Sequence, residues 1–207
     1  MGIVEEVRGS RLLLEVGKPQ PVPRPPVQIA LGFSLPAGGK MAETIVQQAV
    51  QMGVCRIIPL MTARCVVRLS AGKVSARQER LRRVAAEALK QSGTAWFPEI
   101  EPVTSWEKIV PRFKQFSPAL IAATEGPYEP LDALFPPSLP KESPREVLLL
   151  IGPEGDFTPE EVLQAVQGGA HRLSLGPSIL RCETACVAAV SIVSFLLREA
   201  KSHSCHP

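Results

Sequence analysis

Two segments in the last third of the chain combine glycine, proline and charge in a way that suits ligand chemistry. They are Ile151-Gly-Pro-Glu-Gly-Asp-Phe157 and Leu175-Gly-Pro-Ser-Ile-Leu-Arg-Cys-Glu-Thr184. Each opens on Gly-Pro. Glycine lets a backbone approach a ligand closely, and proline narrows the conformations that a loop loses on binding. Neither segment reads GxxxxGK followed by Ser or Thr, and no GxGxxG turn occurs, so phosphate and dinucleotide cradles find little support. The pattern suits a ligand held by backbone amides and carbonyls, with Glu154, Arg181 and Glu183 as the charged side chains beside it. Each of the three alone would pass for a helix cap or a surface ion pair. Their meeting in two glycine-rich loops makes a site the better reading.

Other chemistries are weaker. The five cysteines, an odd number without paired spacing, point to a reducing compartment rather than to a disulfide framework. No CxxC occurs, and His203, Cys205 and His206 at the C-terminus read as a frayed tail, so no metal is expected. Charge is uneven although the net value is only +3. Residues 55–86 hold eight basic side chains against one acid, Glu79. Residues 125–161 hold nine acids against two bases. The basic stretch suits a polyanion, with a solvated helix face as its plainer explanation.

The elements that must position these residues follow from periodicity. Residues 3–7 and 11–16 read as two short strands, which cannot be stable alone. Five prolines within residues 18–26 make an extended linker. After it come a strand at 27–33, a helix at 41–52 stopped by Gly53, strand-like runs at 56–60 and 65–69, and an amphipathic helix at 75–91. Thr104 and Glu107 have capping-box spacing for a short helix. A short apolar strand is expected at 119–123. The run 147–151 is continuously apolar, as in a parallel strand buried on both faces. Thr158-Pro159-Glu160-Glu161 then starts a helix that Gly168-Gly169 ends. A strand at 171–175 and a long apolar helix at 183–200 complete the series. Alternating strands and helices predict an α/β domain with a mainly parallel sheet, whose ligands gather at the carboxyl ends of the strands.

Length and composition exclude several classes. The chain has 207 residues, 45% apolar and 21% charged, so wholesale disorder is not expected. Its longest uncharged apolar run, residues 184–197, has 14 residues, short of the roughly 20 that a membrane span needs. Glu5, Glu6 and Arg8 occupy the place of a signal peptide's apolar region.

The stretch LLLIGPEGDFTPEEV (148–162) followed by LSLGPSILRCETACVAAV (173–190) resembles the RsmE family of ribosomal RNA methyltransferases, members of the SPOUT superfamily. KMAETIVQQAVQMGVCRIIPL (40–60) and EALKQSGTAWFPEI (87–100) look like two further family segments in the expected order. The resemblance implies a SPOUT-type sheet with helices on both faces and a C-terminal deep trefoil knot. It implies an S-adenosylmethionine-dependent enzyme that methylates N3 of a uridine in small-subunit (16S) rRNA, cytoplasmic and homodimeric through the knotted region. Residues 1–17 would be the remnant of a PUA-like β-barrel, 18–26 a linker, 27–201 the methyltransferase domain and 202–207 a flexible tail. The cofactor loops would be Thr124, Glu125 and Gly126; Ile151, Gly152, Pro153, Glu154 and Gly155; and Leu175, Gly176, Ser178, Ile179 and Leu180. RNA would meet Arg64, Arg68, Arg80, Arg82 and Arg83. The chain departs from the family pattern at Ala37, Thr94 and Ser178, where cations are common, at Gln51, and at Asp156, where glycine is common.

Methylating uracil N3 requires removal of the imide proton, an aligned methyl donor and stabilisation of the anionic ring oxygens. Arg181 is assigned the electrostatic role, and Glu154 or Glu183 the role of base or positioning group. Two other readings stay open: a SPOUT-fold protein that binds cofactor or RNA without turnover, and an unrelated α/β nucleotide-binding enzyme.

Overall fold

The structure, a computed structural model, describes residues 2–18, 20–67, 70–135 and 145–202. Two antiparallel strands open the chain, β1 (Gly2–Arg8) and β2 (Arg11–Val16), turning at Gly9 with φ 57°. They form a sheet of their own, and their apolar side chains, Ile3, Val7, Leu12 and Val16 among them, are exposed. The proline-rich segment that follows is fastened by Trp96, whose indole Nε1 donates to the Val22 carbonyl at 2.8 Å.

Strands and helices then alternate as periodicity predicts. The order is β3 (Val27–Ser34), α1 (Gly39–Gln51), β4 (Arg56–Met61), α2 (Ala71–Ser92), β5 (Glu99–Ile100), β6 (Thr104–Ser105) and α3 (Trp106–Ile109). A 3-10 turn at Val110–Gln115 leads to β7 (Ala119–Ala122), α4 (Leu131–Leu134), β8 (Arg145–Ile151), α5 (Pro159–Gln167), β9 (Ala170–Leu173) and α6 (Cys182–Ser202). Seven strands make one sheet in the order β5-β4-β3-β8-β7-β9, with β6 beside β4, and every pairing is parallel.

Alternation along β8 builds both layers of the core. Val147, Leu149 and Ile151 pack with Ile45, Leu81, Ala85, Ala189 and Val193 from α1, α2 and α6. Leu148 and Leu150 face the other way, toward Trp106, Ile109, Phe113 and Ala165. Helices thus cover both faces of the sheet. Gly32 in β3 is small because Leu150 crowds it: an added Cβ would lie 2.9 Å from Leu150 Cδ2.

Two expected local features are absent. Residues 62–67 run as turns instead of joining a strand at 65–69, of which residues 68 and 69 lie outside the described set. The edges of β4 are already occupied by β3 on one side and by β5 and β6 on the other, so this segment has no strand to join. It folds back instead, with the Cys65 amide donating to Thr62 O (3.2 Å) and its thiol to Leu35 O (3.1 Å). Thr104 caps nothing: it pairs with Leu60 as part of β6, its hydroxyl donates to Pro102 O at 2.9 Å, and Ser105 is the N-cap of α3. Of the C-terminal segment expected from residue 202, Ser202 ends α6 and residues 203–207 lie outside the described set.

At the amino ends of the strands an ion network ties β4, β5 and β8. Arg56 reaches Glu146 at 2.8 Å and Glu99 and Glu101 at 3.1 Å each, and Arg112 grips both oxygens of Glu101 at 2.7 Å. Burial pushes the Glu101 carboxyl up, but the hydrogen bonds from Arg112 and Arg56 outweigh it and hold the group below its ordinary value. Burial, aided by the neighbouring Glu146 carboxylate, pushes the Cys55 thiol up to about 12.

Glu101→Gln leaves two guanidinium groups short of an anion and should lower the unfolding free energy by about 3 kcal/mol, measured by urea denaturation at neutral pH. Because the folded protein lowers this carboxyl, its contribution is complete above the ordinary value of 4.5 and is lost as the pH falls below it. The gap between wild type and variant should therefore close in acid.

Candidate functional site

The strands β8, β7 and β9 are neighbours in the sheet, and the loops leaving their carboxyl ends meet the first turn of α6. They line one open cleft, concave and partly apolar as small-molecule sites are. Most of the predicted cofactor residues line it: Thr124 from the first loop, Ile151 to Glu154 from the second, and Leu175, Gly176, Ser178, Ile179 and Leu180 from the third. Glu125, Gly126 and Gly155 stand next to the lining without joining it. Asp156, at the end of the second predicted loop, joins it too, and Ala122, Ala123, Cys182 and Ala185 join it without having been predicted. The spacing of Cys182 and Ala185 on one face of α6 was available as a signal; the contribution of Ala122 and Ala123 depends on where β7 stops.

The 151–157 loop is held from several sides. Phe157 ends it by burying its ring against Trp106, with centroids 5.2 Å apart. Thr158 then caps α5, accepting from the Glu161 amide at 3.2 Å, while Glu161 accepts from the Thr158 amide at 2.9 Å: the predicted capping box is present, with Pro159 at the first helical position. The other oxygen of the buried Glu161 accepts from the Ala63 amide at 2.8 Å, which binds the turn after β4 to the start of α5. Arg64, next along that turn, donates to the Gly155 carbonyl at 2.5 Å and more weakly to the Phe157 carbonyl. Opposite, the Asp156 carboxylate accepts from the amide and hydroxyl of Thr124 and so joins the first two loops.

The three residues given chemical roles are placed differently. Glu154 is exposed and lines the cleft. Arg181 is exposed immediately before α6, beside the lining residues Leu180 and Cys182. Glu183 is half-buried outside the lining, with one carboxylate oxygen buried and without a hydrogen-bond partner. Burial raises the Cys186 thiol well above its ordinary value, which makes it a poor nucleophile.

The five cations predicted to meet RNA do not form one free surface. Arg64 is committed to the 151–157 loop, Arg80 pairs with Glu43, and Arg83 lies 3.6 Å from Glu79. Arg82 is exposed on α2, and Arg68 lies outside the described residues. Among the described residues no group of three or more His, Cys, Asp or Glu could hold a metal ion, and no helix is long and apolar enough to cross a membrane.

Residues 23–194 match the family described as RNA methyltransferase domain. The chain belongs to that family. Among RNA methyltransferase relatives, ribosomal RNA small subunit methyltransferase E of Bacillus subtilis is 33% identical over 82% of this chain and 66% of its own length. The protein of the same name from Synechocystis is 30% identical over 83% of this chain and 54% of its own. The chain thus spans between about half and two thirds of the length of these two relatives. A methyltransferase structure from Legionella pneumophila with bound cofactor SAM superposes with TM-score 0.80 at 28% identity, covering 94% of this chain and 77% of that one. Small subunit methyltransferase E from Neisseria gonorrhoeae bound to S-adenosyl methionine gives TM-score 0.68 at 26% identity, over 83% and 67%. The fold is the SPOUT-type α/β fold expected from sequence.

Glu161→Ala removes acceptors for the Ala63 and Thr158 amides, and should cost about 2 kcal/mol in urea denaturation. Thr158→Ala loses only the cap and should cost about 1 kcal/mol. A smaller effect for Glu161 than for Thr158 would show that the link to Ala63 contributes nothing.

Proposed function

We propose that this protein transfers a methyl group from S-adenosylmethionine to N3 of a uridine in small-subunit ribosomal RNA, as a homodimer joined through a knotted C-terminal region. One observation carries the reading. In a chain of the RNA methyltransferase domain family, loops from three adjacent strands close on a single cleft with apolar walls and acidic charge.

That lining fits the cofactor. Ala122, Ile151, Leu175 and Leu180 offer apolar surface for an adenine ring, and glycine-rich backbone offers amides and carbonyls for its polar edge. Gly152 sits so close to the following turn that a Cβ would lie 3.0 Å from the Phe157 amide, so a larger residue there would push the turn outward. When bound, S-adenosylmethionine supplies an electrophilic methyl group.

The residues around it have separable tasks. Glu154, exposed on the cleft, accepts the imide proton of uracil directly or through water. Arg181, at the cleft's rim, stabilises negative charge developing on the ring oxygens. Glu183, turned away from the lining, is the positioning candidate at the start of α6. Arg82 and its neighbours on α2 offer positive charge to RNA phosphates. The exposed Phe195 supports a dimer contact along α6. The β1–β2 pair fits the remnant of a barrel, and residues 18–26 fit a linker.

The purified protein, titrated calorimetrically with S-adenosylhomocysteine, should bind at micromolar strength. With small-subunit rRNA and S-adenosylmethionine it should yield 3-methyluridine, detected by mass spectrometry of the nucleosides. Folded protein that binds no S-adenosylhomocysteine would sink the cofactor reading. Arg181→Ala should lower turnover by about 100-fold and leave S-adenosylhomocysteine affinity nearly unchanged. Lost affinity instead would move Arg181 from the reaction to cofactor binding.

A further inference from the structure

Asp156 takes a backbone conformation that its residue type disfavours. Its φ of 61° lies in the left-handed region, which glycine enters freely and other residues enter at a cost. Among the described residues it is the one non-glycine residue found there. Its carboxylate is fixed on both sides. Oδ2 accepts from the Thr124 amide at 3.2 Å and the Thr124 hydroxyl at 2.8 Å, and Oδ1 accepts from the Phe157 amide at 2.7 Å. Asparagine tolerates the same backbone but has one acceptor oxygen, so it could accept from Thr124 only by giving up the Phe157 amide. What aspartate adds is that second acceptor and a charge.

That charge faces the cleft without a cation against it. All three donors are neutral, so they hold the carboxylate in place and leave its charge standing. The charged residues of the lining are Asp156 and Glu154, both acidic. The nearby guanidinium of Arg64 is turned to the carbonyls of Gly155 and Phe157, and Arg181 stands outside the lining.

We propose that Asp156 is a specificity-determining residue, a fixed negative charge that favours the sulfonium of S-adenosylmethionine over the thioether of S-adenosylhomocysteine. The proposal rests on the reading of the cleft as the S-adenosylmethionine site. In the transfer, the imide proton leaves N3 for the base, and the N3 electron pair forms the new N–CH3 bond. The S–CH3 bond breaks with its pair remaining on sulfur. Sulfur thereby passes from cation to neutral atom, while the rest of the cofactor is unchanged. Apolar contacts and backbone hydrogen bonds are common to both forms and cannot separate them. A fixed charge can, and in a partly solvated cleft one unit charge discriminates by about five-fold or more. The spent cofactor then leaves a cleft that holds it less tightly than its replacement.

The test is calorimetric titration of wild type, Asp156→Asn and Asp156→Gly with S-adenosylmethionine, S-adenosylhomocysteine and sinefungin, whose amine places a cation where the sulfonium stands. Wild type should bind the two cationic ligands more tightly than S-adenosylhomocysteine. In Asp156→Asn that preference should fall by about five-fold, with S-adenosylhomocysteine affinity nearly unchanged. Asp156→Gly, which relieves the backbone cost and so covers a failure of the asparagine variant to fold, should lose the preference too. It should also bind S-adenosylhomocysteine more weakly, because Thr124 loses its acceptor. An unchanged preference in either folded variant overturns the proposal and leaves the cofactor reading intact. Wild type that binds none of the three ligands overturns that reading itself.

Discussion

Five consecutive apolar residues, 147–151, are satisfied only when strands flank both edges of β8 and helices cover both of its faces, and β3, β7 and the two helix layers do this. Once β8 is enclosed, its carboxyl end can emerge only at one edge of the sheet, next to the ends of β7 and β9. The cleft lies there because of this arrangement, as in open α/β sheets generally. The opposite edge, where β4, β5 and β8 begin, carries the half-buried ion network around Arg56 and Glu101. The two ends are divided by chemistry: charge paired between side chains at one, charge left open to a ligand at the other.

The 151–157 loop illustrates how a glycine-rich segment becomes a defined surface. Glycine lets it turn sharply but gives it no side chains with which to hold itself. The hold comes from elsewhere: Phe157 wedged at Trp106, Glu161 at Ala63, Arg64 at the Gly155 carbonyl and Asp156 at Thr124. Each anchor belongs to a different part of the chain. A loop pinned this way presents its backbone groups to a ligand with little left to order on binding, the condition under which such groups bind well.

How much of this was legible in the sequence follows the range of each interaction. The β8 run and the capping box at Thr158 and Glu161 are local patterns, and each was read correctly; the two Gly-Pro loops are local too, and both line the cleft. Residues 65–69 looked like a strand because valine and leucine favour sheets, yet no edge of β4 was open to them. Thr104 had the spacing of a cap, but pairing with Leu60 claimed its backbone first. Arg64 looked like one cation in a basic stretch, and only the approach of Gly155, 91 residues away, reveals its structural task. Asp156 could be singled out as an unusual residue for its loop; that its carboxylate reaches Thr124 could not. Non-local contacts of this kind leave no periodic trace.

The pairing of β3 with β8 sets a condition on how the protein is made. Val27 lies opposite Arg145, so the two central strands are separated by more than a hundred residues of chain. A nascent polypeptide exposes β3, with its apolar Ile29, Leu31 and Phe33, long before β8 is synthesised. Until then β3 can pair on one side only, with β4, and its other edge is open. Closing so long a loop before gaining the contacts that reward it makes folding slow and leaves partly built chains prone to associate. The sheet that positions the cleft is therefore completed late in synthesis, and a chain interrupted before residue 145 would lack the strand on which both halves of the core depend.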